Sequence, residues 1–260
     1  MTLPIFSASD DPGPSFAELL ARVRPQPALP DGAPPLTITH GTTVLGVKYA
    51  DGVVMAGDRR ATSGNLIAHK TMEKVFPADR YSGVAIAGAA GPAVEMVKLF
   101  QLQLEHYEKV EGQVLSLEGK ANQLSSMVRS HLPAAMQGMA VVPIFAGYDL
   151  RREVGRLFSY DVTGGRYEEL DHIASGSGSL HAGTVVKLGF RDDLTRDAAI
   201  DLVVSALYQA ADADSATGGP DLIRGIFPVV ATITTEGYTR VDDGELRTRV
   251  EALVAGGGAR

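Results

Sequence analysis

The stretch His40-Gly41-Thr42-Thr43-Val44-Leu45-Gly46-Val47-Lys48 decides how the rest of the chain is interpreted. A segment rich in Pro, Ala and Asp precedes it, and strand-like runs begin directly after it. Gly41 lacks a side chain, so the peptide bond before Thr42 can adopt backbone geometries that other residues avoid. The Thr42 hydroxyl could therefore attack the carbonyl in front of it, and cleavage there would leave Thr42 with a free α-amine.

A threonine at a new N-terminus would carry a nucleophile and a base together. An α-amine has a reference pKa near 7.7–8.0, close to the operating pH that a general base requires. A threonine paired with an N-terminal amine is a recognised activated nucleophile. Taken alone, however, Gly-Thr-Thr before a strand is more typical of an ordinary turn. The interpretation therefore depends on the downstream residues.

Composition bounds the possible functions. The chain has 260 residues, 45% of them hydrophobic, which suits one sizeable domain or at most two. A net charge of -7 argues against nucleic-acid binding. The absence of cysteine excludes disulfides, thiolate metal sites and cysteine nucleophiles, and it fits a reducing cytoplasm, the predicted location. No histidine pair has metalloprotease spacing and no phosphate-binding loop is present, so we expect neither metal nor cofactor.

The N-terminal segment differs from the rest of the chain. Residues 1–41 are rich in proline, and only Ser15–Val23 has helical periodicity. The segment lacks the basic start and apolar core of a secretory signal. We therefore predict a removable leader at residues 1–41 and one folded domain at residues 42–260.

Hydrophobic periodicity predicts two antiparallel sheets with helices. Tight turns between consecutive strands favour antiparallel pairing over β-α-β units. Two apolar-faced sheets with a helix layer on each outer face would bury every element, an α+β sandwich of four αββα layers. The predicted strands are 42–48, 53–57, 83–88, 141–147, 156–161 and 228–234; the predicted helices are 91–112, 117–139 with a kink at Pro133, 179–188, 194–211 and 243–254.

Three residues in the first half could serve the Thr42 chemistry. Asp58 follows the second strand, where a returning chain would place it near Thr42. A buried Lys74 between them would favour a deprotonated threonine oxygen and would be held by the carboxylate. Gly88 lies just before a helix, where backbone N–H groups could stabilise an oxyanion. Each is equally compatible with a structural role: a turn carboxylate, a surface lysine and a tightly packed glycine.

Two later loops carry hydroxyl and acidic residues. Gly176-Ser177-Gly178-Ser179 precedes a helix, and Asp214-Ser215-Ala216-Thr217-Gly218-Gly219 follows one. Alone, the first would be an N-cap or flexible loop and the second a C-terminal turn. Their order around Gly41 and Thr42 makes them candidates for the same site.

Together these segments resemble a known family. From Thr42 to about Val254 the chain looks like a proteasome β subunit, closest to the actinobacterial type. The resemblance rests on the following motifs: His40-Gly41-Thr42-Thr43, Val53-Val54-Met55-Ala56-Gly57-Asp58-Arg59-Arg60-Ala61-Thr62, Leu104-Glu105-His106-Tyr107-Glu108-Lys109, Ala135-Met136-Gln137-Gly138, Gly176-Ser177-Gly178-Ser179 and Asp214-Ser215-Ala216-Thr217-Gly218-Gly219-Pro220-Asp221.

The resemblance implies an N-terminal-nucleophile hydrolase, a threonine-type endopeptidase that exposes Thr42 by self-cleavage after Gly41. It implies that the α-amine of Thr42 is the base and that the Gly88 N–H is the oxyanion donor. The matching partner residues are Asp58 and Lys74, and the matching supporting residues are Ser177, Asp214 and Thr217. Thr217 stands where many relatives have serine, which also supplies a hydroxyl.

The resemblance also implies how substrate is bound. Thr62 and Ala90 match positions that pair with an extended substrate backbone. The positions resembling the primary specificity pocket are apolar and include no carboxylate, which predicts cleavage after hydrophobic residues. These positions are Ala61, Met72, Phe76, Ile86 and Ala90.

The resemblance also implies partner proteins, and it has to be weighed against other interpretations of the sequence. Proteasome β subunits form seven-membered rings, stacked in pairs between two rings of α subunits, and an ATPase ring delivers tagged or unfolded proteins. The competing interpretations are a simpler bacterial relative that works in hexameric rings, a scaffold subunit that keeps its extension, and an amidase acting on small molecules. Asp58-Arg59-Arg60, the long leader and the Ser215–Leu222 segment favour the proteasome type.

Overall fold

The computed structural model describes residues 41–257. The predicted leader before Gly41, with its helix at 15–23, lies outside the described residues. The strands are β1 (Thr43–Tyr49), β2 (Gly52–Gly57), β3 (Ala61–Ser63), β4 (Leu66–His69), β5 (Val75–Asp79), β6 (Ser82–Gly88), β7 (Val141–Asp149), β8 (Val154–Tyr160), β9 (Arg166–Glu169), β10 (His172–Gly176), β11 (Val229–Thr234) and β12 (Gly237–Arg240). The helices are α1 (Ala90–Glu111), α2 (Leu117–Ser130), α3 (Leu132–Ala135), α4 (Ser179–Gly189), α5 (Arg196–Ala213) and α6 (Asp243–Gly257).

Two antiparallel five-stranded sheets form the centre of the domain. The first has the order β10-β1-β2-β11-β12, the second has the order β5-β6-β7-β8-β9, and β3 and β4 pair as a separate hairpin. All the registered strand pairs in the described residues are antiparallel, as the tight turns predict.

The layers follow from side-chain alternation along the strands. On β1, Val44 packs into the core between the two sheets, whereas Leu45 and Val47 pack on the opposite side against helices. Both faces of this sheet are therefore buried, which explains why β1 and β2 are apolar almost throughout. The result is the predicted αββα sandwich.

Each sheet carries its own helices. Helices α4, α5 and α6 pack on the first sheet, and α1 and α2 pack on the second, where Phe100 meets Phe145 edge-on. The Ser116 hydroxyl caps α2 and Thr195 caps α5, each accepting a backbone N–H of the first turn. None of the helices within residues 41–257 is long and apolar enough to cross a membrane.

The structure corrects the helix predicted at 117–139. Helix α2 ends at Ser130, and Pro133 lies in the first turn of the separate short helix α3. Proline lacks an N–H and its ring clashes with the carbonyl four residues earlier, so the helix is interrupted at this point instead of continuing with a kink. The sequence analysis also missed β3, β4, β5, β9, β10 and β12, which are short or polar strands.

Candidate active site

The candidate residues lie where strands and helices begin or end. Thr42 immediately precedes β1 and Asp58 immediately follows β2, and the pairing of Val44 with Gly57 brings these two ends together. Lys74 precedes β5 in the second sheet, and the last residue of β6 is Gly88. The site is therefore built at one end of both sheets.

Asp58 and Lys74 form a buried ion pair. The Lys74 Nζ lies 2.6 Å from Asp58 Oδ1, and the two side chains are 1% and 0% exposed. The ammonium also donates to the carbonyl of Arg60 at 2.6 Å and to that of Gly41 at 3.4 Å. Burial lowers the pKa of Lys74 below its usual value, and the attraction of Asp58 offsets only part of this shift. The amine is thus easier to deprotonate than a surface lysine.

Backbone donors fix the Asp58 carboxylate. Its Oδ1 accepts the N–H of Thr43 at 2.8 Å, and its Oδ2 accepts the N–H of Arg60 at 2.9 Å and of Gly218 at 2.8 Å. With Lys74, four donors surround one carboxylate, two on each oxygen. The ion pair therefore has a single orientation.

The Thr42 hydroxyl lies beside the carbonyl of the preceding residue. Its Oγ1 donates to the Gly41 oxygen at 2.8 Å, and Thr42 is only 6% exposed. Thr62 Oγ1 accepts the Gly41 N–H at 3.3 Å, and the Ser177 N–H donates to the Thr42 carbonyl at 2.8 Å. The hydroxyl is thus held next to the Gly41–Thr42 bond, with the Lys74 ammonium on the same carbonyl oxygen.

Ser177, Asp214 and Thr217 form a second group beside Thr42. Both hydroxyls donate to Asp214 Oδ2, from Ser177 at 2.5 Å and from Thr217 at 2.6 Å. Burial alone would raise the pKa of Asp214, but these two bonds and the Ala216 N–H outweigh it and hold the pKa below its usual value. The carboxylate is therefore ionised at neutral pH and orients both hydroxyls.

A small cavity of about 30 Å³ joins the nucleophile to the predicted pocket. Thr42, Lys74 and Gly88 line it together with most of the predicted substrate positions, while Phe76 is not among the lining residues and packs against the core beneath α1. Ala87 and Ala93 line the cavity and were not predicted. The lining residues are Gly41, Thr42, Ala61, Thr62, Met72, Lys74, Ile86, Ala87, Gly88, Ala90 and Ala93.

Sequence reasoning missed two residues that tie the site together. Arg60 accepts from Lys74 through its carbonyl and donates from its guanidinium to the Ser215 carbonyl at 2.8 Å. Thr43 contacts both Asp58 and Thr217. Arg60 could have been singled out by its position two residues after Asp58. Thr43 carries no such signal, because its sequence context is that of an ordinary strand residue.

Comparison with known proteins decides the family. Residues 38–223 match the family model described as proteasome subunit. The chain belongs to the proteasome subunit family. It is 57% identical to a proteasome subunit beta of Acidimicrobium ferrooxidans over 265 aligned positions, which span 100% of this chain and 97% of that protein. It is 65% identical to a proteasome subunit beta of Streptomyces griseus over 206 positions, 79% of this chain and 73% of that protein.

The similarity is to β-type members from actinobacteria, as the sequence motifs predicted. The αββα layers found here are the architecture expected of this family. The family and the similarity to β-type members support a threonine peptidase subunit of a proteasome core particle, assembled with other subunits.

Proposed function

We propose that the chain is a catalytic subunit that cleaves itself between Gly41 and Thr42 and then hydrolyses peptide bonds with Thr42. The observation that carries this proposal is the Thr42 hydroxyl, 2.8 Å from the Gly41 carbonyl oxygen and buried next to the Lys74–Asp58 pair. Residues 1–41 are then a removable propeptide, and residues 42–260 are the working enzyme.

Self-cleavage follows from this arrangement. The Thr42 oxygen attacks the Gly41 carbonyl carbon while its proton passes to the Thr42 nitrogen, which is displaced as an amine, so that the Gly41 acyl group moves from nitrogen to oxygen. Lys74 donates to the same carbonyl oxygen and stabilises the charge that develops there. Water then hydrolyses the ester, which releases a carboxylate at Gly41 and leaves Thr42 with a free hydroxyl and a free α-amine.

Peptide hydrolysis reuses the same nucleophile. The free amine, whose reference pKa is near 7.7–8.0, takes the hydroxyl proton as Thr42 attacks a substrate carbonyl. Lys74 and Asp58 tune this proton transfer, and the Gly88 N–H holds the oxyanion. The amine proton passes to the leaving nitrogen, and water hydrolyses the acyl-ester. Ser177, Asp214 and Thr217 hold the new N-terminus.

The cavity defines the preferred substrate. Gly41 forms one of its walls, so removal of the propeptide opens the cavity directly at Thr42. An extended peptide adds alongside Thr62 and Ala90, and its side chain before the cleaved bond enters among Ala61, Met72 and Ile86. This lining carries no carboxylate, so the enzyme cleaves after hydrophobic residues.

The assembly encloses this site. We place the chain in a homo-heptameric β ring, stacked on a second β ring between two rings of α subunits, in the cytoplasm, with an ATPase ring that feeds protein substrates. Large apolar side chains exposed on the single chain support burial in such contacts. Examples are Leu66, Leu170, Leu180, Leu188 and Ile223, each more than 70% exposed.

The proposal is tested by peptidase assays on the purified complex of this chain with its α subunit. A panel of fluorogenic peptides that differ only at the cleaved residue should be hydrolysed fastest after large apolar residues, and Thr42→Ala should abolish hydrolysis of all of them. Preferred cleavage after basic residues would overturn the pocket assignment. Undiminished activity in Thr42→Ala would overturn the nucleophile. Six subunits per ring would favour the simpler bacterial relative.

A further inference from the structure

Thr43 sits between the two groups of site residues and contacts both. Its N–H donates to Asp58 Oδ1 at 2.8 Å, and its hydroxyl lies 2.6 Å from the Thr217 hydroxyl. The residue is completely buried. We propose that Thr43 is the positioning residue that holds Thr42 in place after self-cleavage, by tying the Asp58–Lys74 pair to the Ser177–Asp214–Thr217 group. This inference rests on the proposed function of Thr42.

The hydrogen-bond directions around Thr43 are determined by counting protons. The Thr217 proton is directed at Asp214 Oδ2, so the Thr217 oxygen can accept only, and the Thr43 hydroxyl donates to it. The Thr43 oxygen in turn accepts the Gly178 N–H at 3.0 Å. A directed chain therefore runs from Gly178 through Thr43 and Thr217 to Asp214, and such chains strengthen each bond in them.

The backbone of Thr43 is equally fixed. Its carbonyl accepts the Asp58 N–H at 3.0 Å, so Thr43 and Asp58 bond in both directions. Thr43 also pairs with Gly176, the last residue of β10, which leads directly into Ser177. Main-chain and side-chain contacts thus hold Thr43 from three directions.

Self-cleavage makes this anchoring important. In the uncleaved chain, Thr42 is held covalently on both sides, by Gly41 and by Thr43. Once the bond to Gly41 breaks, Thr42 becomes a chain terminus, and termini are poorly ordered unless they are tied down. The nearest fixed residue is then Thr43. A small displacement of a nucleophile is costly, because misplacement by about 1 Å can lower a rate by about 100-fold.

Two substitutions separate the hydroxyl from the rest of the side chain. Thr43→Val keeps the shape but removes the donor to Thr217 and the acceptor for Gly178, whereas Thr43→Ser keeps both. In the assembled, self-cleaved complex, Thr43→Val should lower kcat by roughly 10- to 100-fold. The KM should be unchanged because Thr43 is not among the residues that line the substrate cavity. Thr43→Ser, which keeps the hydroxyl, should have a kcat within about twofold of the wild-type value.

A matched control is Thr232→Val, which removes the hydroxyl of another buried threonine, on β11. It should leave kcat and KM at their wild-type values. Wild-type kcat in Thr43→Val, or equal impairment of Thr43→Ser and Thr43→Val, would overturn the inference. If Thr43→Val fails to assemble, Thr43→Cys retains a weak donor in a similar volume. It should show an intermediate kcat at unchanged KM, and wild-type kcat would overturn the inference.

The same experiment separates this inference from the proposed function. Thr42→Ala, prepared in parallel, reports on the nucleophile alone. If Thr42→Ala keeps peptidase activity, the proposed function fails, whatever Thr43 does. If Thr42→Ala is inactive and Thr43→Val is unimpaired, only the positioning role of Thr43 fails.

Discussion

Removing one partner of the buried ion pair should cost unequal amounts of stability. Lys74→Met leaves the Asp58 carboxylate with three backbone donors, from Thr43, Arg60 and Gly218. Asp58→Ala instead leaves an ammonium that is 1% exposed, with only two carbonyl acceptors, and it deprives those three N–H groups of their acceptor. Asp58→Ala should therefore destabilise the folded chain more than Lys74→Met does.

The magnitudes follow from what remains unpaired. Loss of the Lys74 bond from a carboxylate that keeps three donors should lower the free energy of unfolding by about 1–3 kcal/mol. An uncompensated buried charge typically costs about 3–5 kcal/mol, which is our expectation for Asp58→Ala. The double variant should lose less than the sum of the two single variants, because it buries no unpaired charge.

Urea unfolding of the full-length chain measures these differences, with Thr42→Ala in every variant so that self-cleavage does not intervene. The matched control is Lys109→Met, which breaks the exposed pair with Glu105 and should leave the unfolding midpoint unchanged. A larger loss for Lys74→Met than for Asp58→Ala would refute the reasoning. Strict additivity in the double variant would also refute it.

Three further predictions concern the backbone, the acid stability and the specificity. Gly176→Ala should slow self-cleavage at least tenfold, as followed by mass spectrometry, because the φ of Gly176 is +100° and a Cβ there would lie 1.9 Å from the Thr42 carbonyl oxygen. The control Gly256→Ala adds a Cβ that meets no atom within 4 Å, and this variant should cleave itself at the wild-type rate. Hydrogen bonds and ion pairs from Arg156 help to hold the pKa values of the Glu118, Asp149 and Glu168 carboxyl groups below their usual ranges. The resulting stabilisation is present above the usual ranges and is lost as pH falls from them through the lowered pKa values. Arg156→Met should therefore flatten the decline in unfolding midpoint below about pH 4.5, and equal slopes for the two proteins would contradict this reasoning. Met72→Asp places a carboxylate in the pocket and should raise kcat/KM for peptides cleaved after basic residues relative to apolar ones; an unchanged ratio would count against the pocket.

The layered fold could be predicted because both sheets are buried on two faces. The runs at Val53–Gly57 and Val141–Gly147 are apolar enough to mark core strands. Helix α1 ends at Glu111 with Gly112 as its C-cap, close to the end that the sequence indicated. The β3–β4 hairpin lies on the surface, where Leu66 to His69 are exposed and no apolar alternation is required. Its sequence therefore carries no core-facing pattern from which the pairing could be predicted.

The sequence predicted the site less completely than the chain's resemblance to the family would suggest. Thr42, Asp58 and Lys74 could be selected because a hydroxyl, a carboxylate and an ammonium have recognisable chemistry. Thr43 and Arg60 act through hydrogen bonds to these residues, and nothing in a strand threonine or a loop arginine marks such contacts in the sequence. Phe76 was assigned to the pocket from the resemblance alone, and the structure places it outside the cavity lining.

The central claim is that Thr42 becomes the N-terminal residue of the working subunit. The most direct measurement is the intact mass of this subunit, purified as the complex formed when it is co-expressed with its α subunit. A mass matching Thr42–Arg260, with Thr42→Ala remaining at full length, is the result we predict. A full-length mass for the wild-type chain in the assembled particle would contradict self-cleavage and would make the chain a scaffold subunit.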